Sequence, residues 1–154
     1  MTANQAAIIV GLMGIFNGFG RLLWASLSDY IGRPLTCTIL FVVNILMTIS
    51  LIFLHAPALF TIAMAVLMTC YGAGFSLIPP YLSDIFGAKE LATMHGYILT
   101  AWGMAALAGP MLLAVTYSAT KSYTSTLVVF ILLYLFALAI TLCLKSKKEN
   151  KYLS

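Results

Sequence analysis

Five runs of roughly twenty apolar residues, each nearly free of charge, constrain this chain more than any motif in it. They fall at about 5–27, 35–54, 58–79, 94–117 and 123–144. A run of that length crosses the hydrocarbon core of a bilayer as a helix, because a helix satisfies its own backbone N–H and C=O groups where no water can. Hydrophobic residues are 62% of the 154 and charged residues 8%, which excludes a soluble globular domain and leaves no basic face for nucleic acid. The expected fold is all-α, a polytopic membrane helix bundle of about five spans. It occupies 1–144, and a basic tail follows at 145–154.

The gaps between the runs hold nearly every charge. Asp29 and Arg33 lie in the first, Asp84, Lys89 and Glu90 in the third, and Lys145, Lys147, Lys148 and Lys151 after the fifth. The second and fourth offer only His55 and Lys121. The positive-inside rule puts the first and third gaps and the tail in the cytoplasm, with the N-terminus outside a plasma (inner) membrane. The first run is long and has no basic segment before it, so it is expected to stay as a helix rather than be cleaved as a signal peptide. The tail either holds anionic lipid, at about 1 kcal/mol per residue, or serves topology alone. Cys37, Cys70 and Cys143 lie inside apolar runs without metal-ligand spacing, so they are read as packing residues, and no metal or cofactor is expected.

Helix breakers punctuate the pattern. Pro34 follows the first gap, Pro57 precedes the third run, and Pro79 with Pro80 is expected to end it. Gly109 and Pro110 fall inside the fourth run, where the missing N–H bends a helix. That bend is either structural or a flexible point in a helix lining a cavity. The first gap, LSDYIGR, is echoed in the third by LSDIFGAK. Shared turn and cap chemistry accounts for the echo.

Arg21 is the residue that most needs an explanation. It lies eight residues before Asp29, about 12 Å deeper along a helix, where an arginine costs a few kcal/mol unless it meets water or a partner. Gly11, Gly14, Gly18, Arg21 and Ala25 recur at spacings of three and four, which makes one stripe of small residues beside the cation. Asn17, one turn away, is placed to orient the guanidinium. All four acids, Asp29, Asp84, Glu90 and Glu149, fall at the cytoplasmic side. A planar guanidinium without an internal acid suits a small carboxylate anion. The competing reading is an arginine that snorkels to the interface, or that pairs with an acid on a helix outside these five. Tyr71, beside Gly72 and Gly74, either faces the same cavity or packs.

The segment GRLLWASLSDYIGRP, from Gly20 to Pro34, resembles the cytoplasmic loop motif of the major facilitator superfamily at Asp29, Gly32 and Arg33. The family's glycine four residues before the acid is Ala25 here. The stretch SLIPPYLSDIFGAKELATMHGYILTAWGMAALAGP, from Ser76 to Pro110, resembles the oxalate and formate antiporter branch, which is related to the monocarboxylate carriers. The resemblance implies the last five helices of a twelve-helix transporter, with the first run corresponding to helix eight and the N-terminal half as a missing partner. It also implies an anion-binding role for Arg21. The expected activity is secondary active transport, by antiport or proton symport, of a carboxylate such as formate, oxalate, pyruvate or lactate. Some relatives carry a lysine on the helix that holds Trp102; this chain does not, which favours a monocarboxylate over a dianion. Asp29, Gly32 and Arg33 then form a conformational latch, or serve capping and topology alone.

Two other classes remain. Ser83, Asp84 and His95 supply the residue types of a hydrolase, but no nucleophile motif accompanies them, and no enzyme is expected. A small structural or assembly subunit would use the glycine stripe, but an unpaired buried arginine argues against it. His95 is read as a capping or packing residue.

Overall fold

The computed structural model describes the backbone of residues 3–53 and 56–153, and the side chains of 7–53 and 56–143. His55 and the side chains of Lys145, Lys147, Lys148, Glu149 and Lys151 lie outside the described residues. Five helices follow in order: α1 (Ala3–Ile31), α2 (Arg33–Phe53), α3 (Pro57–Phe86), α4 (Leu91–Thr120) and α5 (Tyr123–Leu153). Each contains a segment long and apolar enough to cross a membrane. The chain is therefore all-α, as its five apolar runs require.

Every helix except α2 outruns the span read from its sequence, because hydropathy marks the hydrocarbon core and not the hydrogen-bond ladder. The largest difference is in α3. Pro79 and Pro80 do not end it; the helix continues to Phe86. Each ring removes one ladder bond, at the carbonyls of Phe75 and Ser76, but its fixed φ already suits a helix. What stops α3 is Gly87, at φ 83, whose N–H returns to Ser83 O at 2.9 Å. Pro110 likewise lies within a continuous α4, and the helical backbone of α5 runs on through residues 145–153.

Several Ser, Thr and Asn side chains inside the spans bond back to carbonyls one turn earlier. Thr36, Asn44 and Thr48 on α2 donate to the carbonyls of Gly32, Leu40 and Asn44 at 2.7–2.9 Å. The i−4 bond hides a polar group from lipid without a partner helix.

α1 lies along α3 over the largest contact in the bundle; α2 sits between α3 and α5, and α4 touches α3 and α5. Two glycines make the α1–α3 contact possible. A Cβ on Gly20 would fall inside the Thr69 backbone, and one on Gly72 inside the Asn17 carbonyl. The stripe read from the sequence is therefore not the packing face: a Cβ at Gly11, Gly14 or Gly18 meets nothing within 4 Å. Beside the crossing, Trp24 Nε1 donates to Thr69 Oγ1 at 3.4 Å. The core follows from there, with Trp24, Leu40, Cys70, Ala73 and Leu77 buried and Leu27, Cys37 and Val43 packed around them. At the far end α4 and α5 are joined by the Thr116–Thr126 hydroxyl bond of 2.6 Å and the stacked rings of Tyr117 and Tyr123, 4.5 Å apart.

Replacing Gly72 by leucine is expected to destabilise the protein by about 1–3 kcal/mol, as overpacking does. Gly14→Ala, made as its control, is expected to stay within about 0.5 kcal/mol. Thermal unfolding in detergent reads both, and equal effects would refute the close crossing.

Candidate functional site

α1 carries Arg21 on an exposed face, and the register fixed by Gly20 sets what it meets. Its guanidinium carbon lies 4.9 Å from the centroid of the Phe75 ring on α3, a cation–π contact. Phe75 is the centre of an aromatic cluster. Tyr71, one turn earlier on α3, meets it edge to face at 5.6 Å, and Trp102 of α4 lies against it at 4.2 Å. Trp102 also lies beside Gly74, where a Cβ would meet the indole in ordinary contact at 3.5 Å. Three candidates from three separate runs, Arg21, Tyr71 and Trp102, are thus brought together by a residue the sequence reading missed. The available signal was helical spacing, since Phe75 follows Tyr71 by four.

Asn17 lies one turn from Arg21, with its carbonyl against Gly72. Among the described hydrogen bonds none joins Asn17 to Arg21, and what meets α3 at the crossing is the Asn17 backbone. Nor does an acid reach Arg21 among the described ion pairs, both of which belong to Arg33.

A cavity of about 530 Å³ opens on the other side of the aromatic cluster. Tyr71, Gly74 and Trp102 line it together with residues of α2 and α5, and Arg21 does not. Its wall has no charged side chain.

The second group of candidates forms a separate cluster at the end of α1. Gly32 takes φ 87 and its N–H returns to Ser28 O at 3.0 Å. Gly87 repeats this arrangement with Ser83, so the two echoed sequences share one turn geometry. The left-handed φ is what requires glycine at both positions. The turn delivers Arg33 across to α3. Its guanidinium pairs closely with Asp84, donates to Pro80 O at 3.1 Å, and lies 3.8 Å from Asp29 on its own side. Asp84 is the partner that sequence reasoning did not assign, although it is the acid of the second Leu-Ser-Asp. Its commitment to Arg33 also separates it from the hydrolase reading of Ser83, Asp84 and His95. Gly109 and Pro110 lie on α4 beyond Trp102 by seven and eight residues, roughly 10–12 Å along the helix.

Five apolar membrane-length helices define an integral, multi-pass membrane protein. Residues 1–153 match the Major Facilitator Superfamily, and the chain belongs to that family. It is 31% identical over 93 residues to apicoplast pyruvate carrier 2 of Toxoplasma gondii, covering 59% of this chain and 14% of that protein. It is 30% identical over 111 residues to the oxalate:formate antiporter of Oxalobacter formigenes, covering 71% and 27%. It is also 26% identical over 159 residues to human monocarboxylate transporter 14, covering 96% and 30%. The chain thus spans less than a third of the length of these curated relatives. No solved structure matches it.

The geometry ranks the ion pairs. Coupling between Arg33 and Asp84, measured by a double-mutant cycle on thermal stability, is expected at about 1 kcal/mol, the upper end for a solvent-accessible pair. The more exposed Arg33–Asp29 pair is expected below about 0.5 kcal/mol. Equal couplings would contradict the arrangement.

Proposed function

We propose that this chain forms part of a secondary transporter for small carboxylate anions, in which Arg21 binds the carboxylate. The observation that carries the reading is a membrane-depth cation, exposed on the bundle and lying over the Phe75 ring, with no acidic partner among the described ion pairs. An arginine left facing lipid would cost several kcal/mol. A water-filled cavity containing an anion removes that cost, and the open glycine face beside Arg21 leaves space for one. The Phe75 ring supports the flat guanidinium from one side and leaves its N–H edge free for a bidentate carboxylate.

Tyr71 and Trp102 complete the substrate side of the site, and Asn17 holds the α1 backbone on which Arg21 is mounted. The relatives named for pyruvate and for oxalate and formate agree with this substrate class. A single arginine, with no second membrane-depth cation among the described residues, favours a monocarboxylate such as formate, pyruvate or lactate over oxalate. Transport takes place against the N-terminal half of a complete transporter, by antiport or proton symport, in a plasma (inner) membrane with the C-terminus cytoplasmic. Asp29, Gly32 and Arg33, joined by Asp84, latch the cytoplasmic ends of α1, α2 and α3 in one access state. Gly109 and Pro110 give α4 its bending point.

Anion uptake by the complete polypeptide in membrane vesicles tests the reading. Arg21→Gln is expected to raise KM about 10- to 100-fold, the loss of a charge-assisted hydrogen bond of about 1.5–3 kcal/mol. Arg21→Lys should recover part of it. Formate and pyruvate are expected to compete at lower concentration than oxalate. Unchanged uptake in Arg21→Gln would remove Arg21 from the site, and stronger competition by oxalate would overturn the monocarboxylate preference.

A further inference from the structure

The cavity behind the aromatic cluster is far larger than a one- to three-carbon anion needs. At about 530 Å³ it is in the range of sites that enclose a drug-sized molecule. Apolar and aromatic side chains dominate its wall, from Phe41 on α2 through Met64 and Met68 on α3 to Leu127 and Phe130 on α5. The polar side chains of α2 within it each already bond to their own helix, Asn44 Nδ2 donating to Leu40 O at 2.8 Å and Thr48 Oγ1 to Asn44 O at 2.7 Å. The space therefore suits an uncharged, apolar group. Its position relative to the cation gives it significance. Tyr71 and Trp102 line the cavity and also contact Phe75, and Arg21 lies on Phe75. One ring separates the guanidinium from the apolar space.

We infer that the substrate is an amphipathic monocarboxylate, with its carboxylate on Arg21 and an aliphatic or aryl substituent in the cavity behind Tyr71 and Trp102. This rests on the carboxylate reading above and extends it to the rest of the molecule. Phe75 is then the positioning residue between head and tail, and its rotation joins the two spaces. A dicarboxylate is a poor fit, because its second charge would enter a wall that offers it no cation.

Ligand-induced thermal stabilisation of the purified complete polypeptide measures this without requiring turnover. The probes are formate, propionate, butyrate, hexanoate, benzoate and phenylacetate, each beside its uncharged amide. Affinity for the acids is expected to rise by up to about fourfold per methylene, with the aryl acids near the top of the series. Thr48→Trp, which fills the cavity, should flatten the length dependence and leave formate unchanged. Met68→Trp fills it from α3 and serves if the first variant does not fold. A flat or falling series in the unsubstituted protein overturns the inference. So does equal stabilisation by acids and amides, which would assign the cavity to bilayer lipid. If formate binds through Arg21 but longer acids gain nothing, only this inference fails. If no acid depends on Arg21, the carboxylate reading fails with it.

Discussion

The backbone contact between α1 and α3 at Gly20 and Gly72 sets the position of everything else that matters in this bundle. Lipid tails are as apolar as leucine, so the hydrophobic effect does not drive membrane helices together; close approach and van der Waals contact do. Two glycines let the helices touch carbonyl to Cα. The register that follows seats Trp24 on Thr69, places Arg21 on Phe75, and brings Pro80 and Asp84 to Arg33. Three features separated by several turns thus depend on one crossing.

The sequence made the architecture legible because the bilayer imposes a length on every span and sends charges to the ends. All five helices, and the loops between them, follow from that constraint. Helix ends were less legible. Pro79 and Pro80 look like a stop because proline lacks an N–H, yet their fixed φ suits a helix, and α3 loses two ladder bonds and continues to Phe86.

The site was legible as residue types and not as contacts. Arg21 stands out because a membrane-depth charge needs a reason, and Tyr71 and Trp102 stand out by size and place. Phe75 did not, since a phenylalanine in an apolar run carries no signal until a neighbour is known. The glycine stripe misled for a related reason. Spacing showed that Gly11, Gly14 and Gly18 share a face, but only the Cβ geometry shows that Gly20 makes the contact, with that face left open. Asp84 was visible as an acid, and its pairing with Arg33 depends on a helix crossing that no local pattern encodes.

The open face and the unpaired cation belong to one argument. Gly11, Gly14 and Gly18 have nothing against them, and Arg21 shares their side of α1. A bare glycine stripe in lipid gains no contact, and a bare arginine there is costly. Either fault alone could be tolerated. Together they indicate a surface that is completed by something other than lipid tails, and the two features ask for different things. The glycines ask for a closely approaching helix, the arginine for water and an anion. In the proposed transporter a moving interface meets both demands: a second helical half that approaches the glycines in one state and withdraws to admit a solvated carboxylate in the other. In the same proposal the turn at Gly32 is a fixed point. Arg33 ties α1, α2 and α3 to one another through Asp29, Asp84 and Pro80, so that in this proposal the half carrying Arg21 rocks as one body.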